Sequence, residues 1–143
     1  MEEWRPGNEV VLTGGRTNLR HSSNPRFGAI QARFAESYCG FHPWAEADMA
    51  RYSSHHAGAG LLYNFELPLR MRFTIGTGPG IYRHEGNDPN LGCAVEFASW
   101  VELSGFIMRR RVTFAHLSNA QLSSRNPGTE AVGMSVRWFS FSW

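Results

Sequence analysis

Apolar and polar residues alternate with a period of two along eight segments of this chain, and no stretch shows the 3.6-residue period of a helix. In segment 69–83, for example, Met71, Phe73 and Ile75 alternate with arginine, threonine and glycine. Because successive side chains of a β-strand point to opposite faces, each segment has one apolar face and one polar face. We predict strands over 8–19, 26–37, 41–52, 56–67, 69–83, 91–102, 105–118 and 130–143.

The connections between these strands alternate in length. Polar loops, most of them long, are expected at 20–25, 53–55, 84–90 and 119–129. Tight turns are expected near Cys39-Gly40, Pro68 and Ser104-Gly105. Long loops at one end and short turns at the other are typical of outer-membrane barrels, whose tilted strands cross the bilayer in about ten residues. The pattern predicts that residues 1–143 form one domain, an all-β, eight-stranded antiparallel transmembrane β-barrel.

Alternation alone does not decide which face is outside, since a soluble, lipocalin-like barrel would turn its apolar face inward around a ligand. The polar faces favour the inverted arrangement, because they carry many glycines and enough charges for a paired interior. The arginines are Arg72, Arg109, Arg111 and Arg137, and the expected acidic counterparts are Glu46, Asp48 and Glu96.

The last segment adds aromatic residues of the kind found at membrane interfaces. Its outward parity changes between Val136 and Phe139, and one regular strand cannot present both sets of apolar residues to lipid. We therefore expect either a β-bulge near 137–139 or a last strand that leaves the bilayer at that point.

Charge and composition exclude several classes of protein. A net charge of +2 gives no electrostatic footprint for nucleic acid, although all 14 basic residues are arginines. The chain has no apolar run of 18 residues, so no transmembrane helix is predicted.

Cys39 and Cys93 match no zinc or redox motif and fall near opposite ends of the predicted barrel, so no disulfide is expected. The start, MEEWRPG, has no signal peptide, so the protein stays in the cytosol or a signal has been removed.

A histidine, a serine and a carboxylate lie around the last predicted loop. His116 and Ser118 are two residues apart and share a strand face with Val112 and Phe114, which places them toward lipid. If the chain turns after Ser118 and comes back as the next strand, Glu130 can lie beside them. These are the residue types of a base, a nucleophile and a base-orienting acid. The backbone N–H groups of Asn119 and Ala120, or the Asn119 side chain, would hold the oxyanion. An ester that reaches such a site from the membrane surface is a lipid.

This segment resembles the lipid A 3-O-deacylase (PagL-like) family of outer-membrane barrels. The residues that carry the resemblance are His116-x-Ser118-Asn119-Ala120, Asn126-Pro127-Gly128 and Glu130, with the run Gly76 to Tyr82 as a further likeness. The resemblance implies that His116, Ser118 and Glu130 form a catalytic triad and that Asn126 matters for activity. It implies a serine esterase that removes the 3-hydroxyacyl chain at the 3-position of lipid A, in the outer leaflet of a Gram-negative outer membrane. The implied partners are lipopolysaccharide and membrane lipids, with no nucleic acid, metal or cofactor.

Other histidines and arginines receive weaker assignments. His21-Ser22-Ser23 and Ser53-Ser54-His55-His56 are expected to lie in loops without a fixed carboxylate. The His55-His56 pair could bind a metal, but adjacent residues of an extended chain point apart, so the pair is expected instead to be solvated or to contact lipid headgroups. The arginines expected to grip lipid phosphates are Arg20, Arg26 and Arg125. A non-enzymatic barrel with an adhesive or structural role, or a soluble ligand-binding barrel, remain the alternatives.

Overall fold

Eight strands form a closed antiparallel barrel in the computed structural model, which describes residues 7–17, 19, 26–35, 38–50, 54–83, 94–105, 110–118 and 129–141. The strands are β1 (Asn8–Thr17), β2 (Arg26–Arg33), β3 (Phe41–Ala50), β4 (His55–Leu67), β5 (Met71–Arg83), β6 (Val95–Gly105), β7 (Arg110–Ser118) and β8 (Thr129–Phe141). Each strand pairs with its neighbours in sequence, and β8 closes on β1. The predicted fold class and strand count are confirmed. In the part of the chain that the structure describes, no helix is long and apolar enough to cross a bilayer.

The connections fall at two ends of the barrel, which we call the loop end (18–25, 51–54, 84–94 and 119–128) and the turn end (34–40, 68–70 and 106–109). Cys39 and Gly40 both have positive φ, 52° and 83°, as a two-residue hairpin turn requires. Cys39 is a free, exposed thiol there, and Cys93 lies outside the described residues. The turn expected at Pro68 is a short 3₁₀ segment, Pro68–Arg70.

The third predicted turn, at Ser104-Gly105, is wrong. Both residues belong to β6, where Ser104 pairs with Arg72 and Gly105 pairs with Met71. Serine and glycine suggested a turn, but the ladder continues because β5 supplies a partner as far as its first residue. The β6–β7 connection therefore falls at 106–109, outside the described residues.

The apolar faces of the strands lie on the outside of the barrel. Val112 and Met134 are 53% and 51% exposed, whereas the polar-face residues Glu96 and Glu102 are 0% and 1% exposed. A soluble, lipocalin-like barrel has the opposite arrangement, with its apolar faces turned inward. The interior, called the lumen below, is polar except for a middle layer in which Leu62 packs with Trp44 and Trp100.

An ionic network fills the turn end of the lumen. Arg33 donates to both carboxylate oxygens of Glu102 at 2.8 and 2.7 Å, and Arg111 donates to both oxygens of Glu9 at 2.8 and 2.9 Å. The Arg33 guanidinium also lies 4.8 Å from the centre of the Trp100 ring. An interior of paired charges is thus confirmed, but Glu9 and Glu102 hold these arginines. The acids predicted for this role lie elsewhere, because contacts across the lumen depend on strand register, which composition does not reveal.

The β-bulge expected in the last strand is present. Val11 pairs with Arg137 and Val10 pairs with Phe139, so Trp138 is the extra residue of β8. The bulge shifts the outward parity by one position, and Ser140 consequently lines the lumen. The aromatic residues of this segment stack on the outer surface at the turn end, with ring centroids 5.3 Å apart for Trp138–Phe139 and 6.1 Å apart for Phe139–Phe141.

Candidate active site

His116 and Glu130 are direct cross-strand partners at the loop end of the β7–β8 ladder. Their Nδ1 and Oε1 atoms lie 3.5 Å apart. Directly opposed residues of an antiparallel pair have Cβ atoms about 5 Å apart, so the backbone register alone brings these two side chains into reach. The structure thus places Glu130 beside His116, as the sequence predicts.

Both residues lie on the outer, apolar face of the barrel. His116 shares its face with Phe114, and Glu130 shares its face with Val132, both of which are exposed. The His116 side chain is 41% exposed, whereas the Glu130 side chain is only 9% exposed. A carboxylate withdrawn from water interacts more strongly with its partner than an exposed one. Because Glu130 faces Nδ1, Nε2 of His116 is the nitrogen left to accept a proton from a nucleophile.

Ser118 is the last residue of β7, and its backbone pairs with Phe97. It lies two residues beyond His116 and therefore on the same face of the strand. Its side chain is outside the described part of the structure, as are all of Asn119, Ala120 and Asn126. The roles of these four residues stay predictions.

Two polar residues that the sequence analysis missed continue the row begun by His116 and Glu130. Ser99 on β6 pairs with His116, and Thr77 on β5 pairs with Ser99. The Thr77 and Ser99 hydroxyl oxygens are 3.2 Å apart. We call Thr77, Ser99, His116 and Glu130 the polar band, since it crosses four adjacent strands of the apolar outer surface. The sequence does contain a sign of these two residues, because each is a hydroxyl residue at an outward position of a strand whose outward face is otherwise apolar.

Arginines also flank this surface at the loop end. Arg16 and Arg26 are exposed and oppose each other directly on β1 and β2, and Arg16 pairs with Val132 on β8. Like charges in directly opposed positions are destabilising. Arg26 was among the residues expected to bind lipid phosphates, and that role stays a prediction, while Arg20 and Arg125 lie outside the described residues.

The expectation that His55 and His56 are solvated loop residues is wrong for His56. Both belong to β4, which begins at His55, and the β3–β4 ladder pairs His56 with Asp48. His55 is exposed, whereas His56 points into the lumen and is 2% exposed. The run Gly76–Tyr82 lies within β5, as its alternation predicts, and its glycines face the narrow lumen. A Cβ atom at Gly76 would lie 2.3 Å from a ring atom of Trp100.

Solved structures of outer-membrane proteins are similar to this barrel. The crystal structure of the outer membrane enzyme PagL matches with a TM-score of 0.62 and 18% identity, over 89% of this chain and 96% of that one. Neisserial surface protein A (NspA) matches with a TM-score of 0.66 and 10% identity, over 94% of this chain and 96% of that one. The Yersinia pestis outer membrane protein Ail matches with a TM-score of 0.55 and 11% identity, over 93% of this chain and 100% of that one. At these identities the likeness shows the fold alone.

A family model matches the sequence itself. Residues 33–139, well over half of the chain, match the model described as lipid A 3-O-deacylase (PagL). No curated protein sequence matches the chain. The match includes β7, all but the last two residues of β8 and the connection between them, and hence the His116–Glu130 pair. The chain therefore belongs to the lipid A 3-O-deacylase (PagL) family.

Proposed function

We propose that this protein is a serine esterase of a Gram-negative outer membrane that removes the 3-O-linked 3-hydroxyacyl chain of lipid A. The observation that carries the proposal is the His116–Glu130 pair, held across one ladder on the apolar outer face of a barrel of this family. Polar groups facing lipid are costly unless they are paired, and ionisable residues there are functional candidates by default.

In the proposed mechanism, the Ser118 hydroxyl attacks the acyl carbonyl carbon while His116 Nε2 takes its proton. Glu130 holds the imidazole by Nδ1 and stabilises the imidazolium that forms. The oxyanion of the tetrahedral intermediate accepts hydrogen bonds from the backbone N–H groups of Asn119 and Ala120. The intermediate then collapses, and His116 returns the proton to the departing 3-oxygen of lipid A. A water molecule, deprotonated by His116, hydrolyses the acyl-enzyme and releases the 3-hydroxy fatty acid.

The surroundings of the site suit an amphipathic substrate. Exposed apolar residues lie on the turn-end side of the pair, and acyl chains can pack along them; these residues include Val112, Phe114, Val132 and Met134. Arg16 and Arg26 lie at the loop end, where the phosphate groups of lipid A would sit. This order of apolar and cationic surface favours a substrate in the outer leaflet, with the loop end facing outward.

The test is mass spectrometry of lipid A incubated with detergent-refolded protein. Wild type should release one hydroxyacyl chain, and Ser118→Ala should release none under the same conditions. Ser99→Ala is the matched control, because Ser99 is the other serine on this face next to His116 and should be dispensable for chemistry.

Two other outcomes of this experiment would change the assignment. Loss of activity in Ser99→Ala but not in Ser118→Ala would reassign the nucleophile. Intact lipid A with a folded wild-type protein would favour the non-enzymatic barrel.

A further inference from the structure

A second group of titratable side chains lies inside the barrel, on the opposite side of the wall from the polar band. Glu46 and Asp48 on β3 and His56 on β4 face one lumen cavity of about 70 Å³ near the loop end. Their possible ligand atoms all lie within 4.8 Å of one another. The closest pair is Asp48 Oδ2 and His56 Nδ1, 3.0 Å apart.

A third carboxylate, which unlike Glu46 and Asp48 is fully buried, lies beyond the imidazole. Glu96 faces the lumen, is 0% exposed, and neither of its carboxylate oxygens has a hydrogen-bond partner among the described residues. Gly80 is its cross-strand partner, and a Cβ atom at Gly80 would lie 2.3 Å from His56 Nε2. Nε2 also lacks a hydrogen-bond partner in the described structure. The Nε2 edge of the His56 ring therefore lies against Gly80 on β5, and Glu96 is the neighbour of Gly80 on the next strand, β6.

Among the described residues that line this cavity, Arg33 is the one arginine. Its guanidinium is engaged by both oxygens of Glu102. Glu46 accepts a hydrogen bond at 2.7 Å from Gln31, which is neutral. Three carboxylates thus share one imidazole in a confined space. Buried charges of this kind are normally paired or bound to a metal ion.

The donor set suits a transition metal. Zn²⁺ binds carboxylate oxygen and imidazole nitrogen at about 2.0–2.2 Å in a tetrahedral arrangement, which places two ligand atoms roughly 3.4 Å apart. The Asp48 and His56 atoms, 3.0 Å apart, are already close to that spacing. Rotation of the Glu46 side chain has to bring the third ligand atom, which lies within 4.8 Å of the other two, to the same ion. A metal-bound histidine usually donates its second ring N–H to a carboxylate, and Glu96 is placed to become that acceptor.

We propose that Glu46, Asp48 and His56 bind one divalent transition-metal cation in the lumen, with Zn²⁺ as the best match, and that Glu96 orients His56. The site is structural, since the barrel wall separates it from His116 and Glu130. It ties β3 to β4 and, through Glu96, to β6, near the ends of the loops. Because it uses only lumen residues, it does not depend on the proposed esterase activity.

The test is a titration of chelator-treated, refolded full-length protein with ZnCl₂, followed by calorimetry and by thermal unfolding. Wild type should bind one Zn²⁺ per barrel and unfold at a higher temperature when loaded, whereas MgCl₂ at the same concentration should have no effect. Asp48→Asn and His56→Gln should each weaken binding at least tenfold. His55→Gln is the matched control, because the neighbouring His55 is exposed on the outer face and should be dispensable.

The heat-dependent gel mobility of each variant checks that the barrel has formed. If one variant does not fold, the other decides; if neither folds, the wild-type stoichiometry and the His55→Gln control decide. The proposal is overturned if wild type binds no stoichiometric Zn²⁺, if a folded lumen variant binds as tightly as wild type, or if His55→Gln abolishes binding.

Discussion

His116 Nδ1 lies 3.5 Å from Glu130 Oε1, and the two residues oppose each other in the β7–β8 ladder. The backbone hydrogen bonds of a closed barrel fix this relationship, because slipping β8 by one residue against β7 would turn Glu130 to the lumen and away from His116. A pair set by strand register is more precisely held than one carried by a loop.

Glu130→Gln should lower kcat by about 10³- to 10⁴-fold and change KM little, because an amide neither stabilises the imidazolium nor selects the correct tautomer. Initial rates of hydroxyacyl release would measure this. Glu66→Gln is the control, since the Glu66 side chain is 66% exposed at the turn end. Near-normal turnover in folded Glu130→Gln would show that Glu130 does not orient the base.

The double variant Arg16→Gln/Arg26→Gln should raise KM for phosphorylated lipid A about tenfold, which corresponds to one lost charge-assisted contact of about 1.4 kcal/mol. Turnover should be unchanged, and dephosphorylated lipid A should show no difference between wild type and variant. Arg70→Gln, an exposed arginine at the opposite end, should behave as wild type. Equal increases of KM for both substrates would argue against phosphate recognition.

Gly78→Ala should destabilise the barrel by more than about 2 kcal/mol or prevent refolding, since steric overlap at close-packed positions is costly. A Cβ atom at Gly78 would lie 2.0 Å from the carbonyl oxygen of Ala59, and backbone cannot move away as a side chain can. Gly14→Ala is the control, because a Cβ atom there meets nothing within 4 Å. Urea unfolding in detergent measures both variants, and similar stabilities would contradict the close approach of β4 and β5.

Glu102→Gln should reduce the free energy of unfolding by about 3 kcal/mol, the usual cost of breaking a buried ion pair from one side. Glu102 is 1% exposed and accepts two hydrogen bonds from Arg33. Glu66→Gln removes a partner of Arg72 at an exposed rim position and should cost less than about 1 kcal/mol. The prediction fails if the two variants unfold at the same urea concentration.

The features that could be predicted from the sequence are those that follow from the two-residue repeat along a strand. Period-two alternation predicted the eight strands, and the small and charged residues of the polar faces favoured an outward apolar face. The parity change between Val136 and Phe139 predicted a bulge or an early end of the membrane-spanning strand, and the structure has the bulge, which leaves Trp138 unpaired with β1. The approach of Glu130 to His116 was also predictable, because one hairpin joins them.

Contacts across the lumen were not predictable in this way. The pairing of Arg111 with Glu9 joins residues 102 positions apart in the chain, and it depends on the stagger of the closed barrel. The same limit hid the approach of Glu96 to His56. Ser99 was missed for a simpler reason, since one hydroxyl on an apolar face carries no meaning until its cross-strand neighbour is known.

The position of His116 on the outer wall, rather than in a cleft, sets the concentration units in which the proposed esterase activity should be measured. A substrate that reaches this surface diffuses in two dimensions, so the rate should follow its mole fraction in the surrounding amphiphile and not its bulk concentration. Adding inert detergent at constant lipid A should then slow the reaction by surface dilution. Every lipid that contacts the exposed residues Phe114 and Val132 would then compete with the substrate for this surface. The surrounding membrane lipids would therefore lower the rate of the proposed reaction.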